Sequence, residues 1–372
     1  MGLIDLLASS QITSSPVAFY WFLFKNGGWV FFVIGFIYLV VLFILEYQRG
    51  QYDSKRRFIC LAIDVPKTTE QSPKAAEQIF ASLAGTQTIP KWGEKWIKGE
   101  MPESFSLEII SLGGYIQFLI QTHAKFRDLV EAAVYAQYPD AEIVEVEDYT
   151  AESKKITFPN DEYELWGTEF SLTNKEYYPI KTYFEFEHPL SGEFKDPMAA
   201  LLEVLSKIGP DEQIWLQLAV TPAPDSWKEP VKDLVKKLIG AEVKRKRDLA
   251  DWLVDPLISL IGFLGDMVGG SAEGKRKDTI SKPPTLMQHL SPGERKVVEA
   301  IENKASKIGF HCRFRFIYLA KKESFNKPVV NAVSGGAIKQ FNTLNLNGFK
   351  PNKLKFLNQI VLDLSSCQIS FW

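Results

Sequence analysis

The chain has 372 residues, 46% hydrophobic and 24% charged, with a formal net charge of −2. That length leaves room for two domains of ordinary size beyond an anchor, and the near-neutral balance excludes a polycation that grips nucleic acid along its whole length. Cys60, Cys312 and Cys367 lack CxxC spacing, which suits a reducing compartment and excludes a structural zinc framework.

In chain order, the first feature is "SPVAFYWFLF", aromatic and apolar but broken by Pro16, read as an interfacial helix with a re-entrant segment as the alternative. Eighteen uncharged residues follow, Gly28 to Leu45. At 1.5 Å per residue they cover about 27 Å, near the lower limit for crossing a bilayer core. Trp29, Phe32, Ile34, Phe36, Leu39, Leu42 and Leu45 are the expected anchor side chains, and a buried core helix is the competing reading. Arg49, Lys55, Arg56 and Arg57 follow the span whereas only Lys25 precedes it, so the positive-inside bias predicts an N-terminus outside and the bulk of the chain in the cytoplasm. The opening "MGLIDLLASS" has no basic n-region, so the span is expected to be retained as a single-pass anchor.

Residues 57–150 read as strand, helix, two strands joined at Gly113-Gly114, helix, strand. That order is the split βαβ, or ferredoxin-like, unit. "FICLAI" and "YIQFLI" are the more apolar and are expected inside the sheet. "FSLEII" and "EIVEVED" carry glutamates and are expected at its edges, where charge discourages pairing. Ser72-Pro73 predicts a capped helix start.

A second, degenerate unit is predicted over 160–351. Asp196-Pro197 starts a helix with Met198, Leu201, Leu202, Leu205 and Ile208 inward; "EQIWLQLAV" is a strand. Ser291-Pro292 with Glu294 is a capping box opening a helix with Val298, Ile301, Ala305 and Ile308 inward, and "FHCRFRFIYLA" is the strand after it. Strands apolar on both faces require a second cover, from pairing of the two units or from a partner. Residues 222–290 form an insertion in which Lys244, Arg245, Lys246 and Arg247 stand beside the apolar stretch containing Trp252 and Leu253. It reads as a helix on the membrane surface or one packed on a neighbouring subunit. Residues 1–56 are the anchor region and 352–372 a C-terminal tail. The fold class expected is therefore α+β, a transmembrane helix followed by two ferredoxin-like units.

No catalytic constellation emerges. His123, His188, His289 and His311 are scattered outside any metal-binding or nucleophile motif, and no cofactor is implied. Gly269-Gly270…Gly274-Lys275 has part of a phosphate-loop spacing, but Arg276 stands where Ser or Thr is needed. Between Asp140 and Glu193 fourteen acids face four lysines, which disfavours direct contact with nucleic acid.

"FSLEIISLGGYIQFLI", "LVEAAVYAQYPDAEIVEVEDYT", "EFSLTNKEYYPIKTYFEFE", "DPMAALLEVLSKIGPDEQIWLQLAVTPA", "LSPGERKVVEAIENKASKIGFHCRFRFIYLAKKESFNKP" and "GAIKQFNTLNLNGFKP" together resemble a family of membrane-anchored proteins of candidate-phyla bacteria. That family is similar to the membrane-proximal, non-catalytic part of conjugation or type IV secretion ATPase systems. The resemblance implies a non-enzymatic scaffold that docks a motor ATPase, hexameric if the partner is a ring, with self-association left open. "KLKFLNQIVLDLSSCQISFW" departs from the pattern, which continues further in that family. Membrane lipid and protein are the expected partners, with Arg313 and Arg315 among the candidate contacts. The alternative is a membrane-tethered nucleic-acid-binding module using the basic insertion.

Overall fold

The computed structural model describes residues 24–66, 71–88, 91, 93–153, 155–186, 196–240 and 290–352. A short turn, Phe24–Gly28, leads into α1 (Trp29–Ser54). At 26 residues α1 is about 39 Å long, and it is long and apolar enough to cross a membrane. Its side chains are not packed as a soluble core helix would be: Phe32 and Phe43 are each 74% exposed. Apolar surface of this kind is covered by lipid or by another chain, which removes the core-helix alternative.

Beyond α1 the chain alternates β1 (Phe58–Asp64), α2 (Lys74–Ala84), β2 (Phe105–Leu112), β3 (Tyr115–His123), α3 (Arg127–Tyr135) and β4 (Glu142–Val146). After the short α4 (Thr150–Ser153) come β5 (Tyr163–Leu172), α5 (Ala199–Ser206), β6 (Glu212–Pro222), α6 (Lys228–Leu238), α7 (Pro292–Ser306), β7 (Phe310–Lys321), α8 (Lys327–Asn331) and β8 (Phe349–Pro351). All eight strands form one sheet in the order β4-β1-β3-β2-β6-β7-β5-β8, and every neighbouring pair is antiparallel. The molecule is thus a mixed α/β chain with one N-terminal apolar helix and a single eight-stranded sheet.

This corrects the expected place of β2. The strand "FSLEII" is not an edge; it pairs with β6 from Phe105↔Val220 to Leu112↔Gln213. The two halves therefore meet strand to strand. The expected edge at β4 stands, and its Glu145 is held by Arg127 at 2.6 Å and Arg57 at 3.6 Å.

Side-chain alternation gives the sheet two unlike faces. On one, α2 and α3 bury Leu83, Val130 and Val134 against Ile59, Leu61, Phe105 and Ile120. In the second half, α5 and residues 327–341 bury Leu201, Leu205, Val330, Val333 and Ile338 against Ile214, Leu216, Phe316 and Tyr318. On the opposite face the segment joining β4 to β5 crosses the sheet, and Tyr149, Ile156 and Phe158 cover Cys60, Ile110, Leu119, Trp215 and Ile317.

Local signals hold in part. The Ser291–Glu294 capping box forms, with the Ser291 amide donating to Glu294 Oε2 at 2.8 Å and the Glu294 amide to Ser291 Oγ at 3.3 Å. Ser72 supplies no side-chain cap to α2. The inward face of α7 packs on α6 rather than on the sheet: Val298 and Ile301 meet Val231 and Val235, while Ile308 is 54% exposed. The sheet-covering role expected of α7 belongs to residues 327–341. At the β2–β3 turn, Gly113 and Gly114 both take positive φ, +59° and +88°, as a two-residue hairpin requires.

Candidate functional site

The candidate site is built where α1 ends. Arg56 lies two residues beyond Ser54, and its guanidinium is turned inward, with the side chain 7% exposed. It donates to Glu103, 5% exposed, lies 3.7 Å from Asp53, and rests over the rings of Tyr52 and Phe58 at 5.7 and 5.2 Å. Lys125 donates to the second Glu103 oxygen at 2.5 Å. One buried carboxylate is thereby shared by two cations, one from the end of the anchor and one from the turn after β3. Beside them, His123 Nδ1 accepts from the Lys125 amide at 3.2 Å. Burial, then the Arg56 charge, lower its pKa, which keeps that acceptor unprotonated.

A second contact fixes the same junction. The turn Glu94–Lys98 packs on α1 and ends at Gly99, whose φ is +69°. A Cβ on Gly99 would stand 2.6 Å from the Gln48 carbonyl carbon and 2.7 Å from the Arg49 nitrogen, so only glycine lets the two backbones touch.

Further along the sheet, on the face crossed by the β4–β5 segment, Glu108 is 4% exposed. Ser106 Oγ donates to it at 2.6 Å and Tyr149 OH at 2.5 Å; Gln217 Nε2 donates to the Tyr149 oxygen at 2.8 Å. Burial holds the Glu108 carboxyl above its ordinary range despite those donors, and burial also raises the Tyr149 hydroxyl. Neighbouring Cys60 is pushed up to about 12, first by burial and then by Glu108 and Asp148, which makes it a poor nucleophile. In the second half, Glu212 accepts from Tyr318 OH at 2.5 Å. The Glu212–Tyr318 pair ties β6 to β7, and the Glu108–Tyr149 pair ties the crossing segment to β2.

Over the β2–β6 seam the helices of the two halves leave an apolar cleft of about 690 Å³, lined by Ile79, Phe80, Phe118, Met198, Leu218 and Phe341 among others. Among the described residues that line it, Asp64, Glu108 and Tyr138 are the polar ones. Such a surface takes up apolar side chains or an apolar ligand. Among the described residues no group of three His, Cys, Asp or Glu is disposed to hold a metal ion.

One family model, Domain of unknown function (DUF8128), matches residues 61–365. The chain belongs to this family. The DUF8128 match starts within β1 and covers both halves of the sheet, so the seam lies inside one family unit, while α1 precedes it. No curated protein matches the chain.

Of the anchor residues named from sequence, Trp29, Phe32, Ile34, Phe36 and Leu39 are exposed along α1, Leu42 is half-buried and Leu45 is buried. Arg313 and Arg315 lie on the interior strand β7 and both pair with Glu169, at 3.3 and 4.0 Å, so part of their charge is spent within the sheet. Lys244, Arg245, Lys246, Arg247, Trp252 and Leu253, and the phosphate-loop-like Gly269–Lys275, fall outside the described residues. Glu103, Gly99 and Lys125 were not singled out from sequence. A glycine before an acidic-aromatic stretch carries no signal until α1 is laid beside it.

Proposed function

We propose that this chain is a membrane-anchored, non-enzymatic scaffold, with α1 crossing the bacterial inner membrane once and the sheet held on the cytoplasmic side. In this reading each half is a ferredoxin-like unit and the units are joined through their second strands. The 4-1-3-2 pattern, repeated in mirror order across β2 and β6, supports it. The platform docks protein partners, a motor ATPase of a type IV secretion-like or DNA-transfer assembly among them.

The observation that carries the proposal is the junction. An anchor meant only to retain a soluble domain needs no more than a flexible linker. Here the helix passes into β1 through the Arg56–Glu103 pair, both buried, with the half-exposed Lys125 on the second oxygen, and through a glycine-only backbone contact, which supports a sheet held at a set angle to α1. Fixed orientation serves an assembly whose components must meet at set angles.

Crosslinking of the full chain in native membranes, followed by identification of the co-purifying chains, tests it. Recovery of an ATPase or other membrane-assembly component at 200 mM salt is expected. Recovery of this chain alone overturns the scaffold, and recovery of nucleic acid lost steeply between about 50 and 200 mM salt favours the nucleic-acid reading instead.

A further inference from the structure

We infer that residues 93–98, "GEKWIK", form a second, interfacial contact with anionic lipid headgroups beside the transmembrane helix; this rests on α1 being the membrane anchor. The location comes first. Gly99 touches the backbone of Gln48 and Arg49, which lie three and four residues past Leu45, the last residue of the apolar run. At 1.5 Å per residue that is about 5–6 Å beyond the hydrocarbon edge, the depth of the headgroups.

The chemistry of the turn fits that depth. Ile97 is 68% exposed, while Trp96 is half-buried beside it. An exposed isoleucine between lysines is costly in water and suited to a boundary where one side is apolar and the other charged. Lys95 is exposed and the Lys98 side chain is 64% exposed; the exposed Lys55, just past the end of α1, adds charge of the same sign, while Arg57 lies 3.6 Å from Glu145. The local acids are partly occupied: Glu94 accepts the Lys91 amide at 2.8 Å, and Glu100 lies 3.9 Å from Lys98. An anionic leaflet draws each such lysine by about 1 kcal/mol, about fivefold in the contact equilibrium. Continuity with α1 and the sign of the charge both select the bilayer surface as the occupant.

The test uses the full chain with Cys312→Ser and Cys367→Ser, reconstituted in vesicles of phosphatidylcholine with or without phosphatidylglycerol. An environment-sensitive fluorophore is placed at Ile97→Cys or, as control, at Leu344→Cys, which is fully exposed near the β8 end of the sheet. Expected is quenching of the position-97 label, and not the position-344 label, by lipids spin-labelled near the headgroup. It should be stronger with phosphatidylglycerol, and in K95E/K98E, where each substitution removes a positive charge and adds a negative one, the contact equilibrium should fall by more than about fivefold per site. A position-97 label as wet as that at 344, or one shielded but unquenched by lipid, overturns the inference while resistance to carbonate extraction leaves the anchor standing. Quenching indifferent to phosphatidylglycerol and to K95E/K98E overturns the role of charge. Release of the chain by carbonate removes the anchor reading, and this inference with it.

Discussion

The two halves of the sheet repeat one strand order but are closed differently. In the first, β2 and β3 are joined by Gly113-Gly114, and the turn tip presses on the second half: a Cβ on Gly114 would lie 2.9 Å from the Ser206 carbonyl oxygen. In the second, the corresponding strands β6 and β7 are joined through α6, α7 and residues 239–291. The ladder survives because it is closed at the base, with Pro222 opposite Phe310 and the Ala223 amide donating to the Gly309 carbonyl at 2.9 Å. Once the strand ends are pinned, added loop costs little free energy, growing only with the logarithm of length. The first half is closed by a two-glycine turn, and the second carries the elaboration in α6 and α7.

That contrast can be broken most directly at the junction. Arg56→Ala leaves Glu103 buried with Lys125 as its remaining close cation, and a loss of about 1.5–3 kcal/mol is expected from the shift of the denaturant midpoint of the reconstituted chain. An effect below about 1 kcal/mol, the range of a surface pair, would show that the junction is not the rigid link described.

Glu108 sharpens the comparison at the seam. Glu108→Ala strips the acceptor from Ser106 and Tyr149 and should cost about 1–3 kcal/mol, whereas Glu108→Gln, which resembles the protonated acid, should retain stability at neutral pH. The sign of the pH dependence follows from burial. Folding raises this pKa above its unfolded value near 4.5, so the contribution is fully present below that value and is lost as pH rises through the raised folded value. Equilibrium unfolding across that window should show the slope in the parent and its absence in Glu108→Gln.

The smallest effects compare two glycines. Gly114→Ala forces a side chain into positive φ against Ser206 and should cost about 1–2 kcal/mol. Gly293→Ala, in the first turn of α7 with open space around it, should be neutral or stabilise by up to about 1 kcal/mol. Thermal melts of both in one background decide whether the turn is a contact between halves or only a turn.

Much of the local architecture was legible because it is written in short-range chemistry. The Gly113-Gly114 hairpin, the Ser291–Glu294 capping box and the apolar run of α1 each depend on residues a few positions apart. Residues 327–341 carry a weak signal: Val330 and Val333 have helical spacing, but Gly335 and Gly336 interrupt it before Ile338. Glu108 shows how a sound local inference fails: glutamate on an apolar strand does mark many edges, yet here Tyr149, from the crossing segment, supplies the donor that lets it be buried.

By itself the sequence determined most of the strands and helices, the apolar face of each of those, and that one helix suits a bilayer. Only the tertiary structure decided that β2 pairs with β6, that Glu108 is interior, and that Gly99 lies against α1. The reason is physical: periodicity reports burial of side chains, whereas strand-to-strand joining and backbone contact are made by peptide groups that every residue carries alike.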